Sequence, residues 1–238
     1  VADGFETGVK TNTVRDAPLS TARSSWPVLL LSPGRSFPTE NYQFVLEQLA
    51  SQGWVVGAIS PPYEEALTLL PDGRQLPFSG PRYETEAERG PVLMSVVDEL
   101  TRDASLVLDR IEDLVSTPGD PFQDRLNLAP GVGYLGHSLG GATAVWTMQR
   151  DSRVRAALSW EGQVYRDEDR PLGVDGKLLY IIGGMNRTAL VGRHFRPGTP
   201  GSVVHELVIG GAWHSSLGDM LPIYRAYGDE DWLVRHRR

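Results

Sequence analysis

Apolar positions along the chain follow two alternating rhythms, short unbroken runs and longer stretches with a period near 3.6. Pro27-Val-Leu-Leu-Leu31 is a continuous run of the first kind, Trp54–Ile59, Val132–Leu135 and Leu178–Ile182 come close to it, and Val154–Trp160 and Val203–Ile209 are strand-like although polar residues interrupt them. Such runs are expected of strands covered on both faces of a parallel sheet. Between them, Tyr42, Val45, Leu46 and Leu49 recur at i, i+3, i+4 and i+7. This predicts an amphipathic helix over residues 39–51, stopped by Gly53. Val97, Leu100, Ala104, Val107, Leu108, Ile111, Leu114 and Val115 mark a second helix over 92–116, ended by Pro118-Gly119. Ala142, Val145 and Trp146 open a third, running to about Arg150. A C-terminal helical segment through Leu217, Met220, Leu221 and Tyr224 is expected to pack back on the sheet.

Strands and helices alternating in this way specify an α/β fold with a doubly wound, mostly parallel sheet flanked by helices and joined by right-handed crossovers. The 238 residues suit one domain, 1–238, with a substantial core. Three stretches break the rhythm. Residues 1–25 are polar and irregular, with a short edge strand expected near Gly8–Val14. Residues 163–176 are charged and loop-like. From 60 to 91, prolines at 61, 62, 71, 77, 81 and 91 oppose a long helix, and Pro71-Asp72-Gly73 predicts a small hairpin between Leu69-Leu70 and Gln75-Leu76. This excursion is placed above the sheet, as a wall of a substrate pocket or as surface decoration.

The chemistry concentrates where one strand runs directly into one helix. Gly131-Val-Gly-Tyr-Leu-Gly-His-Ser-Leu-Gly-Gly-Ala142 passes from strand to G-x-S-x-G to helix without a break, the arrangement of a nucleophile elbow. A serine on so tight a turn needs neighbours without side chains, and Gly136 and Gly140 stand two before and two after Ser138. The helix N-terminus also aims free N–H groups at the position where an oxyanion would form. The N–H of Leu139, next after the serine, is the expected first donor.

A serine nucleophile requires a base to take its proton and a carboxylate to orient that base. Of five histidines, His137 precedes the serine inside the elbow and is expected to point away. His205 lies within a strand, His194 in a basic loop and His236 in a basic tail. His214 follows the last strand, in Trp213-His214-Ser215-Ser216, and is the candidate base. Many α/β-hydrolases carry the acid after the strand that here ends at Ile182, yet Gly183-Gly-Met-Asn-Arg-Thr188 has no carboxylate. Glu161, at the tip of Ser159-Trp160-Glu161-Gly162, is the candidate acid. Asp175, Asp167 and Asp169 stand in reserve on a loop. Phe37, Tyr63, Trp160 and Trp213 neighbour these motif loops and are candidate pocket walls.

Charge and composition remove several alternatives. A net charge of −7 argues against a nucleic-acid or anionic-membrane surface. No apolar run reaches the length of a membrane span. The absence of cysteine excludes disulfides, thiolate metal sites and a cysteine nucleophile. No H-E-x-x-H or P-loop implies a metal or organic cofactor.

Taken together, Pro33-Gly34 after the first strand, Gly136-His-Ser-Leu-Gly-Gly141, an acid-Gly pair after the next strand and His214-Ser215-Ser216-Leu217-Gly218-Asp219 resemble the platelet-activating-factor acetylhydrolase-like branch of the α/β-hydrolases. The resemblance covers roughly residues 26–221. It implies an α/β-hydrolase fold with reduced N-terminal strands, and the activity of a small serine esterase on a small-molecule or lipid ester. Members usually place the catalytic acid on this same strand, commonly as Asp. Many have His-Gly where this chain has Pro33-Gly34. The resemblance also implies a second oxyanion donor in the loop after the first strand, where Pro33 has no N–H to give and Arg35 does. Bacterial members are often exported, which leans the expected compartment to the secreted side. A chain starting at Val1 is read as a processed or trimmed product. The expected reaction is hydrolysis of carboxylic esters through an acyl-enzyme. The rivals are a lipase or polyester-degrading cutinase on the same fold, and a non-catalytic binding protein. Neither acyl length, leaving group nor oligomeric state follows from the sequence.

Overall fold

The computed structural model describes residues 11–163, 165, 171–183, 195–216, 218 and 219. Its central sheet is built from β1 (Trp26–Ser32), β2 (Val55–Ala58), β6 (Val132–His137), β7 (Val154–Trp160), β9 (Lys177–Gly183) and β11 (Val203–Ile209). Their order is β11-β9-β7-β6-β1-β2, and every neighbouring pair is parallel. A two-residue strand, β5 (Leu126–Asn127), pairs with the start of β1.

The two faces of the sheet separate with the period of two that a strand imposes. Val28 and Leu30 of β1, with Tyr134, Tyr180 and Ile182, pack on α2 (Glu86–Ser116) and α3 (Leu139–Arg150) through Ala104, Leu108, Ala144, Val145 and Met148. The alternate residues Leu29, Leu31, Leu135, Leu158 and Ile181 face α1 (Gln43–Ser51), meeting Tyr42, Val45, Leu46 and Leu49. Covered on both faces, β1 reads as an unbroken apolar run, whereas β11 at the edge of the order is partly exposed among the described residues. The chain leaves β1 through α1 to β2, then returns through α2 to the other side of β1. The winding therefore reverses between β1 and β6, and their carboxyl ends flank the crevice that this topology reserves for ligands.

Several elements differ from the sequence pattern. α2 starts at Glu86 rather than 92. Thr85 caps it, its Oγ1 accepting the Glu88 N–H, and Glu86 and Glu88 complement the dipole in the first turn. Pro91 is tolerated because it sits early in the helix, where it deprives only the Ala87 carbonyl of a donor and solvent reaches that turn. The expected hairpin is present as β3 (Leu67–Leu69) and β4 (Gln75–Pro77), paired antiparallel. Within the stretch expected to be loop, β8 (Leu172–Val174) pairs in parallel with β10 (Phe195–Pro197). Thr11–Val14 carry no strand, and Gly8 to Lys10 lie outside the described residues, as does most of the expected C-terminal helix. No described helix is long and apolar enough to cross a membrane.

One tertiary contact ties the C-terminal loop to α1. Tyr42, at the N-cap of α1, offers no side-chain cap. Asp219 supplies it from a distance, its Oδ2 accepting the Phe44 N–H at 2.8 Å while its own N–H donates to the Asn41 carbonyl at 2.7 Å. Asp219→Ala is expected to lower the free energy of unfolding by about 1–2 kcal/mol, the ordinary worth of such a cap, with Asp219→Asn losing less. Urea titration of the two variants against the parent measures it.

Candidate active site

β6 delivers its last residue, His137, to the rim of the sheet, and Ser138 follows in a conformation that L-residues seldom adopt, φ 53° and ψ −118°. The Ser138 N–H still reaches the Trp160 carbonyl at 2.7 Å, so the turn is held against β7 while α3 starts at the next residue. Such backbone strain costs on the order of 1–3 kcal/mol and persists only where packing enforces it. Here the enforcement is close backbone contact. A Cβ on Gly136 would lie 2.1 Å from the Gly140 carbonyl oxygen, and one on Gly140 would lie 2.3 Å from the Ser32 carbonyl oxygen.

That second contact brings the start of α3 against the loop leaving β1. Leu139 is the first residue of α3, so its N–H has no intrahelical acceptor. Among the described residues the Arg35 N–H likewise has none, whereas the flanking Gly34, Ser36 and Phe37 amides are all bonded. The Arg35 side chain is firmly held. Its Nε donates to Glu64 Oε2 at 2.7 Å, its Nη2 donates to the Pro81 carbonyl, and its guanidinium lies over the Phe78 ring. The β1 loop is thus fastened to the proline-rich excursion.

On the next strand over, Glu161 follows β7 with φ 57°, again left-handed. Its side chain is 5% exposed. Oε1 accepts the Gly183 N–H from the end of β9, and Oε2 lies 3.1 Å from His214 Nδ1. A proton on Nδ1 facing the carboxylate leaves Nε2 as the basic nitrogen. His214 itself is more open, with 39% of its side chain exposed. Ser138 Oγ has no hydrogen bond to it or to any other described residue. Catalytic hydrogen bonds are commonly slack in unliganded sites and tighten on the substrate. The reserve carboxylate Asp175 is exposed just before β9, at the amino end of the strand and so at the wrong end of the sheet. Asp167, Asp169, His194 and His236 lie outside the described residues, and His205 is exposed within β11.

One expectation needs correction, and another gains detail. Neither ring nitrogen of His137 bonds to Ser138. His137 is 4% exposed, accepts from the Tyr42 hydroxyl at Nδ1 (2.7 Å) and donates from Nε2 to the His214 carbonyl at 2.7 Å. Its ring and that of His214 lie 4.7 Å apart. Trp160 is no pocket wall but core, 6% exposed and packed with Leu31, Tyr42 and Leu135, because strand alternation turns it onto the α1 face. Of the other three, Phe37 meets the His137 ring edge-on, Trp213 is half-buried, and Tyr63 is 48% exposed on the excursion. Tyr42 was legible only as the first apolar position of the α1 stripe, and nothing in its spacing signals the hydroxyl's use. Among the described residues, no group of three or more His, Cys, Asp or Glu could hold a metal ion.

No family model matches the chain. Among solved structures it is similar to the ferulic acid esterase from Streptomyces cinnamoneus, with a TM-score of 0.66 at 23% sequence identity. The match covers 87% of this chain and 57% of that one, so the chain spans little more than half the length of that esterase. The parallel sheet, its flanking helices and this likeness give the chain the α/β-hydrolase fold. Within that fold, the platelet-activating-factor acetylhydrolase-like resemblance is carried by the motifs of the sequence alone.

Two measurements probe the site's construction. Ser138→Gly and Ser138→Ala both remove the hydroxyl, but only glycine relieves the left-handed turn. The glycine variant is expected to unfold at a free energy about 1 kcal/mol higher than the alanine variant. The second concerns pH. Burial, reinforced by the neighbouring His214, depresses the pKa of His137 from 6.5 to about 4. A histidine held neutral in the folded state contributes its stability fully above the unfolded pKa and loses it as pH falls through the window from about 6.5 to about 4. The loss should approach about 3 kcal/mol. Denaturant titrations at pH 7 and pH 4.5 should show a smaller decrement in His137→Gln than in the parent.

Proposed function

We propose that the protein is a serine esterase that hydrolyses carboxylic esters through an acyl-enzyme. The observation that carries this reading is the bond from Glu161 to His214 Nδ1, made at the strand ends beside a strained serine. Ser138 Oγ attacks the ester carbonyl carbon while His214 Nε2 takes its proton. The tetrahedral oxyanion is held by the N–H groups of Leu139 and Arg35, which have no other described acceptor. Collapse breaks the ester C–O bond, and His214 returns the proton to the departing alkoxide. Water then repeats the sequence on the acyl-enzyme, releasing the acid and restoring Ser138. Glu161 keeps His214 in the required tautomer and stabilises its charged form.

Both oxygens of the Glu161 carboxylate are engaged, one by the Gly183 amide and the other by His214. The similar ferulic acid esterase adds esters of ferulic acid to the short-acyl and lipid-like esters that the sequence motifs favour. Exposed Tyr63, Leu67 and Leu69 on the excursion give reason to test a polymeric ester as well.

A fluorophosphonate probe should label Ser138 in the parent protein and nothing in Ser138→Ala. On p-nitrophenyl esters of graded length, a feruloyl ester and a polyester film, at least one substrate should turn over. Glu161→Gln should then lower kcat by about 10²–10⁴ with little change in KM, as expected when a base loses its orienting charge. A parent protein neither labelled nor active on any of these esters is the outcome that sinks the proposal, and it would favour a binding role.

A further inference from the structure

We infer that His137 and Tyr42 are positioning residues that set the oxyanion loop and the base loop in register, an inference that rests on the esterase reading above. Three bonds join the two loops through the core. The Gly34 N–H donates to Tyr42 Oη at 2.9 Å, the Tyr42 hydroxyl meets His137 Nδ1 at 2.7 Å, and His137 Nε2 meets the His214 carbonyl at 2.7 Å.

The direction of this chain is forced from both ends. A backbone N–H can only donate, so Tyr42 Oη accepts from Gly34 and must send its own proton onward. A carbonyl oxygen can only accept, so His137 must carry its proton on Nε2. The acceptor left to the tyrosine is Nδ1, which closes the chain with a single tautomer. With a neutral imidazole no other arrangement satisfies all three contacts, and in a buried site each unsatisfied group would be costly.

What the chain joins is specific. Gly34 precedes Arg35, whose N–H is the second proposed oxyanion donor. The other end grips the backbone of His214, the proposed base. Those groups come from opposite ends of the polypeptide and must meet one reacting carbonyl with an accuracy of well under 1 Å. His137 is itself the residue before the nucleophile, so one imidazole refers both loops to the elbow. Phe37 and Trp160 hold that ring edge-on at 5.8 and 5.5 Å between centroids. Burial raises the Tyr42 pKa and lowers that of His137, so both remain neutral across the pH range in which an esterase works.

The test compares Tyr42→Phe, His137→Leu, His137→Asn and His137→Gln with the parent, using the best p-nitrophenyl ester and stopped-flow labelling by the fluorophosphonate. Tyr42→Phe and His137→Leu should lower kcat and the labelling rate about ten-fold or more, with KM within about three-fold. His137→Gln keeps a donor near the His214 carbonyl, and His137→Asn keeps an acceptor near Tyr42. Each should recover part of the rate lost in His137→Leu. Folded variants with kcat within two-fold of an active parent would overturn the inference while leaving the esterase intact. An inactive, unlabelled parent would instead remove the reading beneath it. Should the variants fail to fold, the imidazole ¹⁵N spectrum of the parent decides. His137 protonated on Nε2 and unprotonated on Nδ1 at pH 7 is expected, and the opposite tautomer overturns the proposal.

Discussion

Backbone meets backbone without any side chain between them at the end of β6, and the arrangement of the site follows from that contact. Hydrogen is the only substituent that positions 136 and 140 can carry, since a carbon on either would overlap a carbonyl group. With the contact in place, α3 starts immediately after β6, Ser138 is driven into a left-handed turn at the rim, and the first amide of the helix is left without a partner. With a wider separation the first two would not hold, whereas the free amide belongs to any helix start. The strain at Ser138 is small beside the burial of the core beneath it, where Leu30, Tyr134 and Val145 are almost wholly removed from water.

Around this fixed point the remaining groups are attached by hydrogen bonds between loops rather than by their own elements. Glu161 is aimed by its left-handed backbone and by the Gly183 amide, so the end of β9 takes part even though its loop contributes no acid. His214 is held twice, through its ring by Glu161 and through its carbonyl by His137. Arg35 is held through its side chain by Glu64 and Pro81, which binds the proline-rich excursion to the loop after β1. The 60–81 stretch is therefore fastened to the loop after β1.

Much of the architecture was legible. Apolar runs gave strands such as β1 and β9 because a strand covered on both faces has no polar alternation to show. The i, i+3, i+4 stripes gave α1 and the body of α2. Legibility failed where an element is too short or too local to leave a period. β5, β8 and β10 have two or three residues each. The second turn of α2 carries a proline that ordinarily ends a helix but is tolerated near its exposed start. At the candidate site, the glycines around Ser138, the place of His214 after the last strand and the position of Glu161 at a strand tip singled these residues out, and the structure brings Glu161 and His214 into hydrogen-bond contact. Trp160 was misplaced because closeness in sequence to a motif says nothing about which face of a strand a side chain takes.

The sequence by itself determined the alternation of elements, the sharpness of the turn at Ser138 and the order in which Ser138, Glu161 and His214 occur. These are local properties, written in propensity, period and the absence of side chains at two positions. Tertiary structure alone decided that the imidazole of His137 would turn inward to join Tyr42 and the His214 backbone, and that an aspartate near the far end of the chain would cap α1. A hydrogen bond between residues separated by 77 or 175 positions leaves no periodic trace. Its partners are chosen by which unpaired donors and acceptors the packed core happens to bring face to face.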